Sequence, residues 1–177
     1  MTAARVHVPG SSPVPQVRLL DARDVAGDED QLRRLACRLT GTVAAPWISR
    51  SYAFPYAMVA WHDTAVGIDI ERVEPCSVEF AELVCTPSEI AHTPWDGPLD
   101  DHLTGLWSSK EALAKALGDA LRYDPRRLGS PMYWPEGRAG TWRTAAITAP
   151  AGHCAWLCWR EAALATGPAC RSHRAAT

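Results

Sequence analysis

The longest periodic segment constrains the fold most. From Asp100 or Asp101 to Leu117, the apolar residues Leu103, Leu106, Leu113 and Leu117 recur at helical spacing and are expected to be buried in the core, and Gly118 follows as a stop signal. A second stripe runs along the same segment, with Trp107, Glu111 and Lys115 at i, i+4 and i+8, off the leucine face. Strands flank this helix in sequence. They are predicted at Val17–Leu20, Tyr56–Trp61, Ala65–Glu71, Met132–Trp134, Thr141–Thr148 and His153–Arg160. The chain is extended from Trp47 and turns near Pro55, and His62-Asp63-Thr64 joins Tyr56–Trp61 to Ala65–Glu71 as a hairpin. Shorter helices are predicted over Asp28–Leu39, with Leu32, Leu35, Ala36 and Leu39 on one face, and over Glu79–Val84. Another begins at Thr86-Pro87-Ser88-Glu89, where Thr86 suits the N-cap, Pro87 the first helical position and Glu89 the capping box. The expected fold class is α+β, an antiparallel sheet packed on one long helix.

A chain of 177 residues has the length of a single domain. A Pro-, Gly- and Ser-rich flexible leader is expected over 1–16, the domain over 17–165 and a frayed tail over 166–177. The 47% hydrophobic and 21% charged fractions match a globular protein. With a net charge of −2 and scattered arginines, no clustered basic surface calls for nucleic acid or a membrane as partner. No run approaches the roughly 20 apolar residues of a membrane helix, and the N-terminus lacks the apolar run of a secretory signal, so a cytoplasmic protein is expected. The six cysteines include no Cys-x-x-Cys pair and read as free thiols rather than as a zinc site or disulfides.

The chemistry-bearing residues fall in two places. In Gly67-Ile68-Asp69-Ile70-Glu71, strand alternation puts Asp69 and Glu71 on one face and Ile68 and Ile70 on the other. Two adjacent carboxylates are either solvated or share a hard cation such as Mg²⁺, Mn²⁺ or Ca²⁺. The second place is the polar stripe of the long helix, which supplies a third carboxylate, Glu111, if it packs beside that strand. Lys110 and Lys115 are the only lysines among 18 basic residues, and both flank Glu111. A Glu111–Lys115 pair is either a surface i, i+4 ion pair or part of a metal–phosphate site.

Together, Val66–Glu71 and Leu106–Lys115 resemble the two defining motifs of the 4′-phosphopantetheinyl transferase superfamily, closest to the surfactin-synthetase-activating type. In that type an Ile-Ser-His-Ser segment precedes the first motif; here it is Ile48-Ser49-Arg50-Ser51. The resemblance covers about residues 47–160. It implies the superfamily's fold with a shortened first lobe, and Mg²⁺-dependent (Mn²⁺ possible) transfer of the phosphopantetheine arm of coenzyme A to a serine of an acyl or peptidyl carrier protein of polyketide, fatty-acid or nonribosomal peptide biosynthesis. Adenosine 3′,5′-bisphosphate is released. Carried over by position, Asp69, Glu71 and Glu111 are the metal ligands, and Glu111 also takes the serine proton. Ser49, Arg50, Lys110 and Lys115 then serve the coenzyme A site, Lys115 with a catalytic role as well.

The chain departs from the pattern at three points. Arg50 replaces the usual histidine as a phosphate donor. The upstream Gly-Lys-Pro loop is absent, which leaves Arg33, Arg34 or Arg38 as substitutes. The Gly-x-Gly-Leu turn after the helix reads Gly118-Asp119-Ala120-Leu121. The alternative expectation is a degenerate relative that binds a carrier protein or coenzyme A without catalysis. The expected assembly is a monomer or a small homo-oligomer.

Overall fold

A computed structural model describes residues 14–162 apart from 96, 97 and 121. Of the leader expected over 1–16, residues 1–13 lie outside the described residues and Gln16 belongs to the first strand; everything from 163 onward, including the tail, also lies outside them. In chain order the elements are β1 (Gln16–Asp21), α1 (Glu29–Thr40), β2 (Trp47–Ala53), β3 (Tyr56–His62), β4 (Val66–Arg72), α2 (Val78–Val84), α3 (Pro87–His92), α4 (Leu99–Leu117), β5 (Arg138–Ala139), β6 (Trp142–Ala146) and β7 (His153–Arg160). The fold is α+β with antiparallel strand pairs.

The expected single sheet is two sheets, ordered β1-β3-β2 and β4-β7-β6-β5. The hairpin expected between Tyr56–Trp61 and Ala65–Glu71 does not form. β3 is already flanked by β1 and β2, so β4 pairs instead with β7, setting Asp69 opposite Trp156 and Glu71 opposite Cys154. The sheets meet where β2 lies along β4, and side chains make the join: Ile68 N donates to Ser49 Oγ (3.0 Å), and Ser51 Oγ donates to Asp69 Oδ1 (2.8 Å). A buried backbone N–H must find an acceptor, and at this seam a serine hydroxyl takes the place of a ladder carbonyl. The segment Met132–Trp134, expected as a strand, lies in a 3-10 turn at Pro131–Tyr133, with a second one following at Pro135. Two prolines bracketing three residues remove the donors a strand needs.

α4 packs on β4 and β7. Leu103 and Leu106 bury against Ala81, Val84 and Cys85, while Ala112, Leu113 and Ala116 bury with Cys158. Leu117, expected in the core, is exposed. Ala116 takes the buried place in the last turn, and the next residue is rotated about 100° away from it. Packing is closest at Gly67. A Cβ built there falls 1.9 Å from the Ala112 carbonyl oxygen and 2.6 Å from the Ala116 nitrogen. The helix backbone rests directly on the strand, which puts Glu111 and Lys115 beside Asp69 and Glu71. Gly118, at φ +79°, ends α4; its N–H bonds Lys115 O (3.1 Å) and Asp119 N bonds Ala114 O (3.0 Å), a Schellman closure. No helix among the described residues is long and apolar enough to cross a membrane.

Candidate functional site

Asp69 is at the centre, 2% exposed between β2, β7 and α4. Its Oδ1 accepts from Lys115 Nζ (2.6 Å) and from Ser51 Oγ (2.8 Å), and Lys115 Nζ also reaches Ser51 Oγ (3.1 Å) and Ile68 O (3.3 Å). Asp69 Oδ2 is buried and has no hydrogen-bond partner. Two residues along the strand, Glu71 Oε1 accepts from Trp107 Nε1 (3.2 Å). Facing them from α4, Glu111 Oε1 accepts from Tyr123 OH (2.7 Å). The charge of Asp69 reaches both glutamates. Burial first, and then the charge of Asp69, push the Glu71 carboxyl above its ordinary value. Burial does the same to Glu111, against the lowering bond from Tyr123. The Tyr123 phenol is raised, again by burial first and then by the bond to Glu111.

Lys115 also lines a pocket of about 790 Å³ on the other side, together with Ser49, Arg50, Tyr52, Trp47 and the turn residues Gly118, Asp119, Ala120 and Arg122. Arg50 is held by Thr40 at the end of α1, with Nε and Nη2 at 2.9 and 2.5 Å from Thr40 Oγ1. Three cations thus face the pocket against one carboxylate, Asp119. None of Arg33, Arg34 and Arg38 lines it. Arg33 instead stacks its guanidinium over the outer Tyr52 ring, 4.4 Å from the centroid.

Lys110 is not at this site. Its side chain is 0% exposed and points the other way, with Nζ bonded to Glu89 Oε2 (2.5 Å), Val84 O (2.7 Å) and Pro125 O (2.9 Å). Adjacent helical residues are rotated about 100° apart, so Lys110 and Glu111 serve different faces. Glu89 completes the capping box with Thr86 as expected, but its other oxygen accepts from Ser130 N (2.6 Å). It therefore ties α3, α4 and the turn at Ser130 into one buried cluster. Lys110, expected at the coenzyme A site, thus points away from both the pocket and the carboxylate row, whereas Ser51, Tyr123 and Arg122, for which no role was expected, lie at them. Ser51 carried a signal, since it shares the strand face of Ser49; Tyr123 and Arg122 follow the helix stop, where periodicity says nothing.

Residues 65–166 match the family model of the 4′-phosphopantetheinyl transferase superfamily. The chain belongs to this superfamily. No curated protein sequence matches it. The matched span runs from β4 past β7 and includes Asp69, Glu71, Glu111 and Lys115, while Ser49, Arg50 and Ser51 on β2 precede it. Phosphopantetheinyl transferases generally take coenzyme A as substrate and use a divalent metal.

The residues present fit such an ion. The donors are hard carboxylate oxygens, Asp69 Oδ2 is buried and unbonded, and the charge of Asp69 adds to burial in raising Glu71 and Glu111. As they stand, no three His, Cys, Asp or Glu side chains among the described residues close around an ion. Lys115, Trp107 and Tyr123 each hold one oxygen of one carboxylate instead.

Proposed function

We propose that this chain is a Mg²⁺-dependent phosphopantetheinyl transferase, nearest the surfactin-synthetase-activating type, that moves the arm of coenzyme A to a serine of an acyl or peptidyl carrier protein. The observation that carries the reading is the double placement of Lys115, which lines the cationic pocket and bonds Asp69 in the carboxylate row. A molecule with its nucleotide in the pocket has its pyrophosphate at Lys115, beside Asp69, Glu71 and Glu111. Arg50 and Arg122 supply the remaining positive charge, as guanidinium forks suited to phosphate oxygens.

Asp69, Glu71 and Glu111 would hold the metal, which when bound neutralises pyrophosphate charge as phosphoryl transfer requires. The chain's own groups do the rest. Glu111 accepts the proton of the carrier serine as its oxygen attacks the phosphorus bearing the pantetheine arm. The serine O–P bond forms, the pyrophosphate P–O bond breaks, and adenosine 3′,5′-bisphosphate leaves with the electron pair. Lys115 faces the charge that develops on it. Ser51 holds Asp69 from the β2 side and Ser49 ties β2 to β4, so side-chain bonds join the pocket wall to the carboxylate row.

The test is incubation of the chain with coenzyme A, Mg²⁺ and a panel of apo carrier proteins, read by mass spectrometry. One added phosphopantetheine on at least one carrier, abolished by Asp69→Ala or Glu111→Ala with the fold intact, supports the reading. Coenzyme A or carrier binding that ignores Mg²⁺ and yields no product on any carrier would replace it with a binding module.

A further inference from the structure

Trp107 and Tyr123 stack with ring centroids 6.4 Å apart and planes 23° from parallel. Each ring spends its one polar hydrogen on a different carboxylate, Trp107 Nε1 on Glu71 and Tyr123 OH on Glu111. Glu71 comes from β4 and Glu111 from α4, so one aromatic pair ties together two acidic groups on separate elements. The pair is itself fixed, since Phe80 of α2 packs edge-on against Trp107 at 6.4 Å and 69°. Free glutamates have several rotamers, and two of them beside Asp69 repel each other; a tether on one oxygen of each limits how far they swing apart. Each tether is made to Oε1 and leaves Oε2 for another partner.

We propose that the Trp107–Tyr123 stack is a brace that sets the spacing of Glu71 and Glu111 so that both share one divalent cation with Asp69. Tyr123 is the positioning residue, acting through Glu111. The inference rests on the metal-dependent reading of the site. Outer hydrogen bonds that orient ligand side chains are typically worth about ten- to a hundredfold in metal affinity or activity.

Tyr123→Phe keeps the ring stack and removes only the hydroxyl; Trp107→Phe keeps a ring and removes the other donor. Mn²⁺ binding is measured by electron paramagnetic resonance, with coenzyme A present, on each folded variant and on the parent. The expected result is a Kd for Mn²⁺ weakened about tenfold or more in Tyr123→Phe, with coenzyme A affinity in EDTA unchanged. In the transfer assay, the Mg²⁺ concentration for half-maximal rate rises, the KM for coenzyme A holds, and excess Mg²⁺ restores the rate. A packing defect does not respond to metal in that way. A Kd within about twofold of the parent's in both variants, or a parent chain that binds no Mn²⁺, overturns the brace. A parent that binds Mn²⁺ yet modifies no carrier defeats the transferase reading alone, and the Kd values still decide the brace.

Discussion

Lys110→Met separates a structural lysine from a ligand-binding one. Lys110 Nζ is enclosed by Glu89 Oε2 at 2.5 Å, Val84 O at 2.7 Å and Pro125 O at 2.9 Å, and its side chain is 0% exposed. Methionine fills most of the volume but removes the cation paired with Glu89, whose side chain is 6% exposed. Glu89 keeps two backbone donors, Thr86 N at 2.7 Å and Ser130 N at 2.6 Å, and these soften the loss without neutralising the charge. Removing one partner of a buried pair costs about 3–5 kcal/mol, because the other charge stays desolvated. In a domain of this size each kcal/mol lowers the melting temperature by about 2–4 °C, so a fall of roughly 6–20 °C is expected. Thermal denaturation in EDTA measures it without any ligand. The Glu89→Gln change, costly in the parent, is expected to cost less in the Lys110→Met background, the signature of a coupled pair. A Lys110→Met chain that melts with the parent but shows a raised KM for coenzyme A would refute the reasoning and return Lys110 to the pocket.

Glu71→Gln is expected to raise the melting temperature in EDTA and to lower metal affinity. The carboxyl is raised in the fold, so its contribution to stability is full below the ordinary value and is lost as pH climbs through the raised one; the gain from Gln is therefore larger at pH 8 than at pH 5. Gly67→Ala forces a methyl to 1.9 Å from the Ala112 carbonyl oxygen, and since both walls are backbone the loss should reach or exceed the roughly 1–3 kcal/mol of ordinary overpacking, read as a lower urea midpoint or as insoluble protein. Arg122→Gln should raise the KM for coenzyme A about tenfold, one charge-assisted phosphate bond, with a weaker dependence of KM on salt; an unchanged KM removes Arg122 from the pocket's function. With a thiol reagent at pH 8, exposed Cys37 should label in the native chain while Cys158, pushed up to about 12 by burial, stays unmodified until the chain is unfolded.

The long helix and the alternating strand were legible because each repeats a period over enough residues to fix a face, and the site's acidic row follows from those two faces meeting. What decides that meeting is Gly67, whose missing side chain lets the Ala112–Ala116 backbone settle on β4; in sequence it is one glycine before an Asp-Ile-Glu run. The hairpin from Tyr56–Trp61 to Ala65–Glu71 failed for a related reason. A short connection between strands usually means pairing, but here the chain changes sheets, and two serine hydroxyls do the joining that local pattern assigns to the backbone. The lysines show the other limit. Their rarity singles out the helix, yet rarity does not say which face a residue takes. A helix that packs on both β4–β7 and the α2–α3 side has two inner faces, and each holds a lysine against a carboxylate. Lys110 meets Glu89 where three backbone and side-chain acceptors enclose it completely, so nothing is left for a ligand. Lys115 meets Asp69 at a pocket mouth with 22% of its side chain exposed, and that remaining access is what allows one of two similar ion pairs to serve a substrate.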